Sequence, residues 1–220
     1  MIDAVTSRLA CALLAALLAV GLGACGSEDS EKEGSASSGQ ASDARSVEKA
    51  FLTGMVHHHE SAIDMAEIAT QKGESPFITE LAGDILATQE REIAEMKSIH
   101  ERLFEAKLEP DPGAHDGLGL SAAEAGMTHD AQTNETLRAA DPFDRAFVDE
   151  MVPHHEGAVK MSGVVLKSTK DARLRELAED IVSTQKREIE QMNSFRVKKF
   201  GGPVPADAGH GGEHGGGHSG

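Results

Sequence analysis

The chain has 220 residues, of which 37 are acidic and 21 basic, for a formal net charge of −16. A surface this acidic excludes nucleic acid as a partner and favours cations. With no Trp or Tyr and only two Cys, the chain offers neither an aromatic cage nor a Cys-rich zinc site.

Residues 1–24 read as a secretory signal: Arg8 precedes an apolar run from Leu9 to Val20 that is too short to span a bilayer. The run ends in Leu22-Gly23-Ala24-Cys25, which resembles a bacterial lipobox and implies cleavage before Cys25 with acylation of its thiol. The expected product is an extracytoplasmic lipoprotein, anchored to the membrane of the cell envelope. An ordinary signal peptide with an incidental Cys is the other reading. If Cys11 leaves with the signal and Cys25 is acylated, the mature chain has no free thiol, so soft-metal chemistry falls to Met and His. Residues 25–45 are Ser, Gly and acid with little to bury, the composition of a disordered tether.

From Ser46 apolar residues recur at helical spacing, with Val47, Phe51, Met55, Ala62, Met65, Ala66 and Ala69 on one face and Gly73 as a stop. Ser75-Pro76 is a cap followed by proline at the first helical position. Ile78, Leu81, Ile85, Ile93, Met96, Ile99 and Leu103 carry a second helix to about Lys107. Prolines and glycines break the connection 108–141, within which Ser121–Gly126 and Asn134–Ala140 are each expected to form a short helix. Asp141-Pro142 repeats the cap-plus-proline signal for a third helix ending near Ser168, with Asp144 in its first turn. Asp171 caps a fourth, with Leu174, Leu177, Ile181, Ile189, Met192 and Phe195 facing inward. The tail 201–220 is rich in Gly, carries His210, His214 and His218, and is expected to be disordered. Its histidines read either as an exposed metal-delivery arm or as incidental. No useful stretch alternates with period two, so the chain is expected to be all-α. Residues 46–107 and 142–200 form two hairpins that pack into a four-helix bundle over 46–200.

The hairpins are an internal repeat. Residues 51–104 align with 147–200 without a gap, and 21 of the 54 positions are identical. Met55-Val56-His57-His58-His59-Glu60 returns as Met151-Val152-Pro153-His154-His155-Glu156. Met55, His58 and Met65 share a helix face with Ala62, which leaves room for an ion or a close helix approach, and His59 sits beside it. The antiparallel return places Gln89, Glu92 and Met96 level with the His pair, and the second hairpin places Gln185, Glu188 and Met192 beside His154 and His155. Apart from the initiator and Met127, every Met belongs to a repeat-matched pair: Met55 with Met151, Met65 with Met161, Met96 with Met192.

Each of these residues has two readings. A buried Met is core filling or a soft ligand. A His pair is a buried polar pair satisfied by Gln89 and Glu92, or a ligand pair whose Glu orients the ring. Thioether with imidazole suits copper, and Cu(I) prefers the sulfur; imidazole with carboxylate suits zinc, iron or Cu(II). Arg91 and Arg187 read as surface ion-pair partners. Pro153 in place of His57 should kink the third helix and make the two sites inequivalent, the first holding metal more tightly.

The segment Met151 to Met161, with Leu177-Ala178-Glu179-Asp180-Ile181 and the Gln185, Glu188, Ile189, Met192 spacing, resembles the bacterial family known as domain of unknown function 305. The resemblance covers about 46–200. It implies a ferritin-like four-helix bundle in exported proteins, some of them linked to copper binding and copper resistance. The ligands it implies are Met55, His58, His59, Met65 and Met96, with Met151, His154, His155, Met161 and Met192. His57, Glu60, Gln89, Glu92, Glu156, Gln185 and Glu188 would support them. The His57 position departs from the proline expected in the family.

Copper sequestration, tolerance or transfer is therefore the expected function. A bundle that binds an envelope partner without metal is the alternative, and a di-iron oxidase a weaker one. No Glu-x-x-His spacing occurs around Glu60, Glu92, Glu156 or Glu188, and no nucleophile triad or phosphate loop is present, so an enzyme is not expected. Two chains exchanging hairpins would give a homodimer.

Overall fold

The computed structural model describes residues 34–205. The signal segment, Cys25 and the histidines of the tail lie outside the described residues. Five α-helices follow in order: α1 Gly34–Lys72, α2 Pro76–Phe104, α3 Ala131–Ala139, α4 Phe143–Ser168 and α5 Ala172–Phe200. A 3-10 turn spans Ala114–Leu118 in the connection. Among the described residues there is no strand, and no helix is long and apolar enough to cross a membrane. α1 packs on α2 and α4 on α5, and the two hairpins meet chiefly through α1 against α4, with a lighter contact between α2 and α5. The bundle closes within one chain.

The hairpin turns are built as their sequences require. Ser75 and Asp171, which are repeat equivalents, each accept a hydrogen bond from the backbone three residues on, at Ile78 and Leu174. α2 ends at Phe104 rather than near Lys107, where Glu105 adopts a left-handed conformation at φ 52°. The start of α4 departs from expectation. Pro142 itself takes the cap position and Asp141 makes no cap bond. The capping comes from the other hairpin: Phe143 N donates to Glu74 Oε1 at 3.0 Å, and Glu74 N donates to Asp144 Oδ1 at 2.7 Å. This exchange ties the first hairpin turn to the start of α4.

Three more differences separate the structure from the pattern. α1 begins at Gly34, inside the segment read as a tether. Helix nucleation is the costly step, so a helix anchored by packing extends outward at little expense. Ser121–Gly126 forms turns, not a helix, and the second short helix is α3, begun by a capping box between Asp130 and Thr133. The first residues of the tail return to α5, where Arg196 donates to Gly202 O at 2.7 Å and Val204 N donates to Asn193 Oδ1 at 3.0 Å. α4 runs through Pro153 without interruption.

Candidate metal centre

All ten expected ligands are buried, and the six methionines have no exposed surface. They do not assemble hairpin by hairpin. Met55 and Met96 of the first hairpin share a core cluster with Met161 of the second, and Met151 and Met192 share another with Met65 of the first. Met161 Cε would lie 3.2 Å from a Cβ at Gly54, beside Met55 on α1. Each thioether group therefore draws on both hairpins, and the two groups are related by the repeat.

The imidazoles also meet across the hairpins. The His58 and His154 rings lie 3.7 Å apart between centroids, with His59 and His155 at 6.1 and 6.3 Å from their sequence neighbours. Ala62 and Ala158, both fully buried, keep the helix faces small beside them. The hydrogen bonds fix how each ring is held. His59 Nε2 donates to Glu92 Oε2 and His155 Nε2 to Glu188 Oε2, both at 2.8 Å. His58 Nε2 donates to the His154 carbonyl at 3.0 Å. Ser61 Oγ donates to the His58 carbonyl at 2.9 Å, so it accepts from His154 Nε2 at 2.7 Å.

In every case the partner can only accept, or its own hydrogen is already engaged, so Nε2 carries the ring hydrogen. All four Nδ1 atoms are buried without a partner, as are both amide atoms of Gln89 and of Gln185. On His58 and His154, whose rings are neutral, this leaves a bare lone pair at Nδ1. Burial, reinforced by the neighbouring imidazoles, pushes His58 and His154 well below the ordinary histidine range. Both rings stay neutral at physiological pH. A carboxylate or carbonyl on one ring nitrogen with the other left free is the usual support of a metal-ligating histidine.

The supporting residues divide. Glu92, Glu188, Gln89 and Gln185 are buried at the site, whereas Glu60 and Glu156 are exposed and do not support it. Their position on the helix points them to solvent while the adjacent His faces inward. His57 is half-buried outside the hydrogen-bonded cluster. Ser61 was not legible from pattern, because it stands where the other repeat has Gly157. Among the described residues no three His, Cys, Asp or Glu side chains converge to hold a metal.

Known proteins match this fold and sequence. Residues 48–196 match DUF305, a domain of unknown function. CopM in its Cu(I)-bound form is 35% identical, with a TM-score of 0.59 over 70% of this chain and 98% of that one. CopM has also been solved in apo, Cu(II)-bound and Ag-bound forms. A DUF305 fragment from Deinococcus radiodurans is 26% identical at a TM-score of 0.59, covering 69% of this chain and 96% of the fragment. A DUF305 protein from Streptomyces coelicolor shares the fold at 21% identity and a TM-score of 0.64, over 73% and 98%. A shorter match, 43% identical over 52 residues, reaches an uncharacterized protein of Acanthamoeba polyphaga mimivirus, covering 24% of this chain and only 34% of that protein. With the family matched over most of its length and its helices arranged as in these relatives, the chain belongs to the DUF305 family of all-α helical-bundle proteins.

Proposed function

We propose that this protein is a copper-binding protein of the bacterial envelope, anchored through an acylated Cys25, that sequesters or transfers Cu(I). The observation that carries this reading is the set of four buried Nδ1 atoms without a partner, each on a ring whose Nε2 is hydrogen-bonded. Leaving such atoms unpartnered in a core costs about 1–3 kcal/mol each, a penalty that a bound ion removes. The copper-bound forms of CopM support the same reading.

The methionine sulfurs would supply the soft donors and the Nδ1 atoms the borderline ones. Glu92 and Glu188 would orient His59 and His155, and the buried setting keeps His58 and His154 free of protons that compete for the ligand position. Gln89 and Gln185, with no other partners, are available to orient an imidazole or an ordered water once the ion is in place.

An anaerobic Cu(I) competition titration tests the proposal. The protein is titrated against a chromogenic chelator beside a variant carrying Met55, Met96, Met151 and Met192 as Leu. Tight binding by the protein and its loss in the variant are expected. Equal binding by both would move the ligands to imidazole and carboxylate, and no binding by either would sink the copper reading.

A further inference from the structure

The connection between the two repeats comes to rest on the His58–His154 pair: a Cβ at Gly126 would lie 3.2 Å from His58 Nε2. The backbone of Ala125 and Gly126 lies directly on α4. A Cβ at Gly157 would come within 2.3 Å of the Ala125 carbonyl carbon, and one at Gly126, where φ is 68°, within 2.7 Å of His154 O. This close approach sets the next residues of the connection over His154. Met127, outside the repeat-matched pairs, is half-buried and packs against the cluster that holds Met55, Met96 and Met161. His129 is half-buried with its ring edge-on to His154 at 6.4 Å.

His129 is held in place by the start of α3. The capping box that starts α3 fixes Asp130, and His129 Nε2 donates to Asn134 Oδ1 at 2.9 Å. That bond turns Nδ1 to the other edge of the ring. Glu150, half-buried on α4, stands within electrostatic reach of the same ring.

We propose that Met127, His129 and Glu150 form a surface loading site that takes up a soft monovalent cation and hands it to His154. The inference rests on the copper reading above. It adds a site outside the repeated motif and a direction of transfer, from a partly exposed imidazole to a buried one. The transfer is a ligand exchange: a bond from the ion to His154 Nδ1 forms as the bond to His129 Nδ1 breaks. The metal remains Cu(I), no electron moves, and each ring keeps the hydrogen on its Nε2 throughout. The overall charge of −16 draws the cation toward the surface.

A residue that only speeds exchange changes loading and unloading rates equally and leaves the equilibrium untouched. Stopped-flow transfer of Cu(I) from a chromogenic chelator to the full chain, anaerobically and in both directions, measures this. His129→Phe keeps a ring against His154 and removes the ligand atom. Both rates are expected to fall about tenfold or more, with Kd and stoichiometry unchanged. Met127→Leu should slow transfer in the same sense. Unchanged rates in His129→Phe would overturn the loading site, as would a rate lost together with affinity, which would make His129 a ligand of the resting site. Failure of the unmodified protein to take copper would instead overturn the copper reading beneath it.

Discussion

Glu92 and Glu188 show how much of the site depends on one hydrogen bond each. Glu92→Ala leaves the His59 Nε2 hydrogen buried without an acceptor and frees the ring to turn. The variant should lose about 1–3 kcal/mol in urea unfolding and about 10–100-fold in Cu(I) affinity. Met96→Leu separates the same two effects, because Leu nearly conserves volume: under about 1.5 kcal/mol of stability should go, while copper binding weakens. The protonation of His58 and His154 gives a pH signature. Both are held below the unfolded value of about 6.5, so the unfolded chain binds protons that the folded one refuses. The stability they confer is complete above that pH and is lost as pH falls toward their folded values. Unfolding free energy of the metal-free protein should drop by up to about 1.4 kcal/mol per pH unit for each ring below pH 6.5. His58→Gln, followed by the same urea series, should flatten the slope.

At the scale of elements, the glycines of α2 and α4 divide by what faces them. Nothing lies within 4 Å of a Cβ at Gly83 or Gly163, whereas Gly157 meets the connection at 2.3 Å. Gly163→Ala should therefore stabilise by about 0.5–1 kcal/mol through helix propensity alone. Gly157→Ala, earlier in the same helix, should destabilise by about 1–3 kcal/mol as the Ala125–Gly126 backbone is pushed off. Thermal melts of the two variants test this; a stabilised Gly157→Ala would mean that the connection does not press on α4. The hairpin turns were legible from Ser75, Pro76 and Asp171, because a cap is a local contract between residues three apart. The start of α4 was not, because its cap is Glu74, which is remote in sequence.

Across the whole molecule, the thioethers tie the hairpins together. Met55, Met96 and Met161 share one cluster and Met65, Met151 and Met192 the other. Metal held in either cluster links α4 to α1 and should raise the melting temperature with free ion concentration, by about 2.7 kcal/mol of stability at a hundred times Kd. The assembly across hairpins also predicts which pairs of substitutions couple. Met55→Leu and Met161→Leu should act on one site and be non-additive in Cu(I) affinity, while Met55→Leu and Met151→Leu should act on separate sites and add. Additivity of Met55→Leu with Met161→Leu, joined to coupling of Met55→Leu with Met65→Leu, would instead return each site to its own hairpin.

The sequence by itself determined the four long helices, the caps at the hairpin turns, the repeat and the kinds of side chain it carries. Each of these rests on spacing of three or four residues, or on a copy of such spacing 96 residues on, and both are written in the chain. It also placed Glu92 and Glu188 beside the histidines, since an antiparallel hairpin fixes which turns are level. Only the tertiary structure decided that His58 meets His154, that Nδ1 rather than Nε2 is left without a partner, that the methionines group across hairpins, and that the connection comes to rest against the His58–His154 pair. Those features depend on how α1 packs against α4 and where a loop comes to rest. That is a matter of side-chain fit between elements far apart in the chain, which no local period encodes.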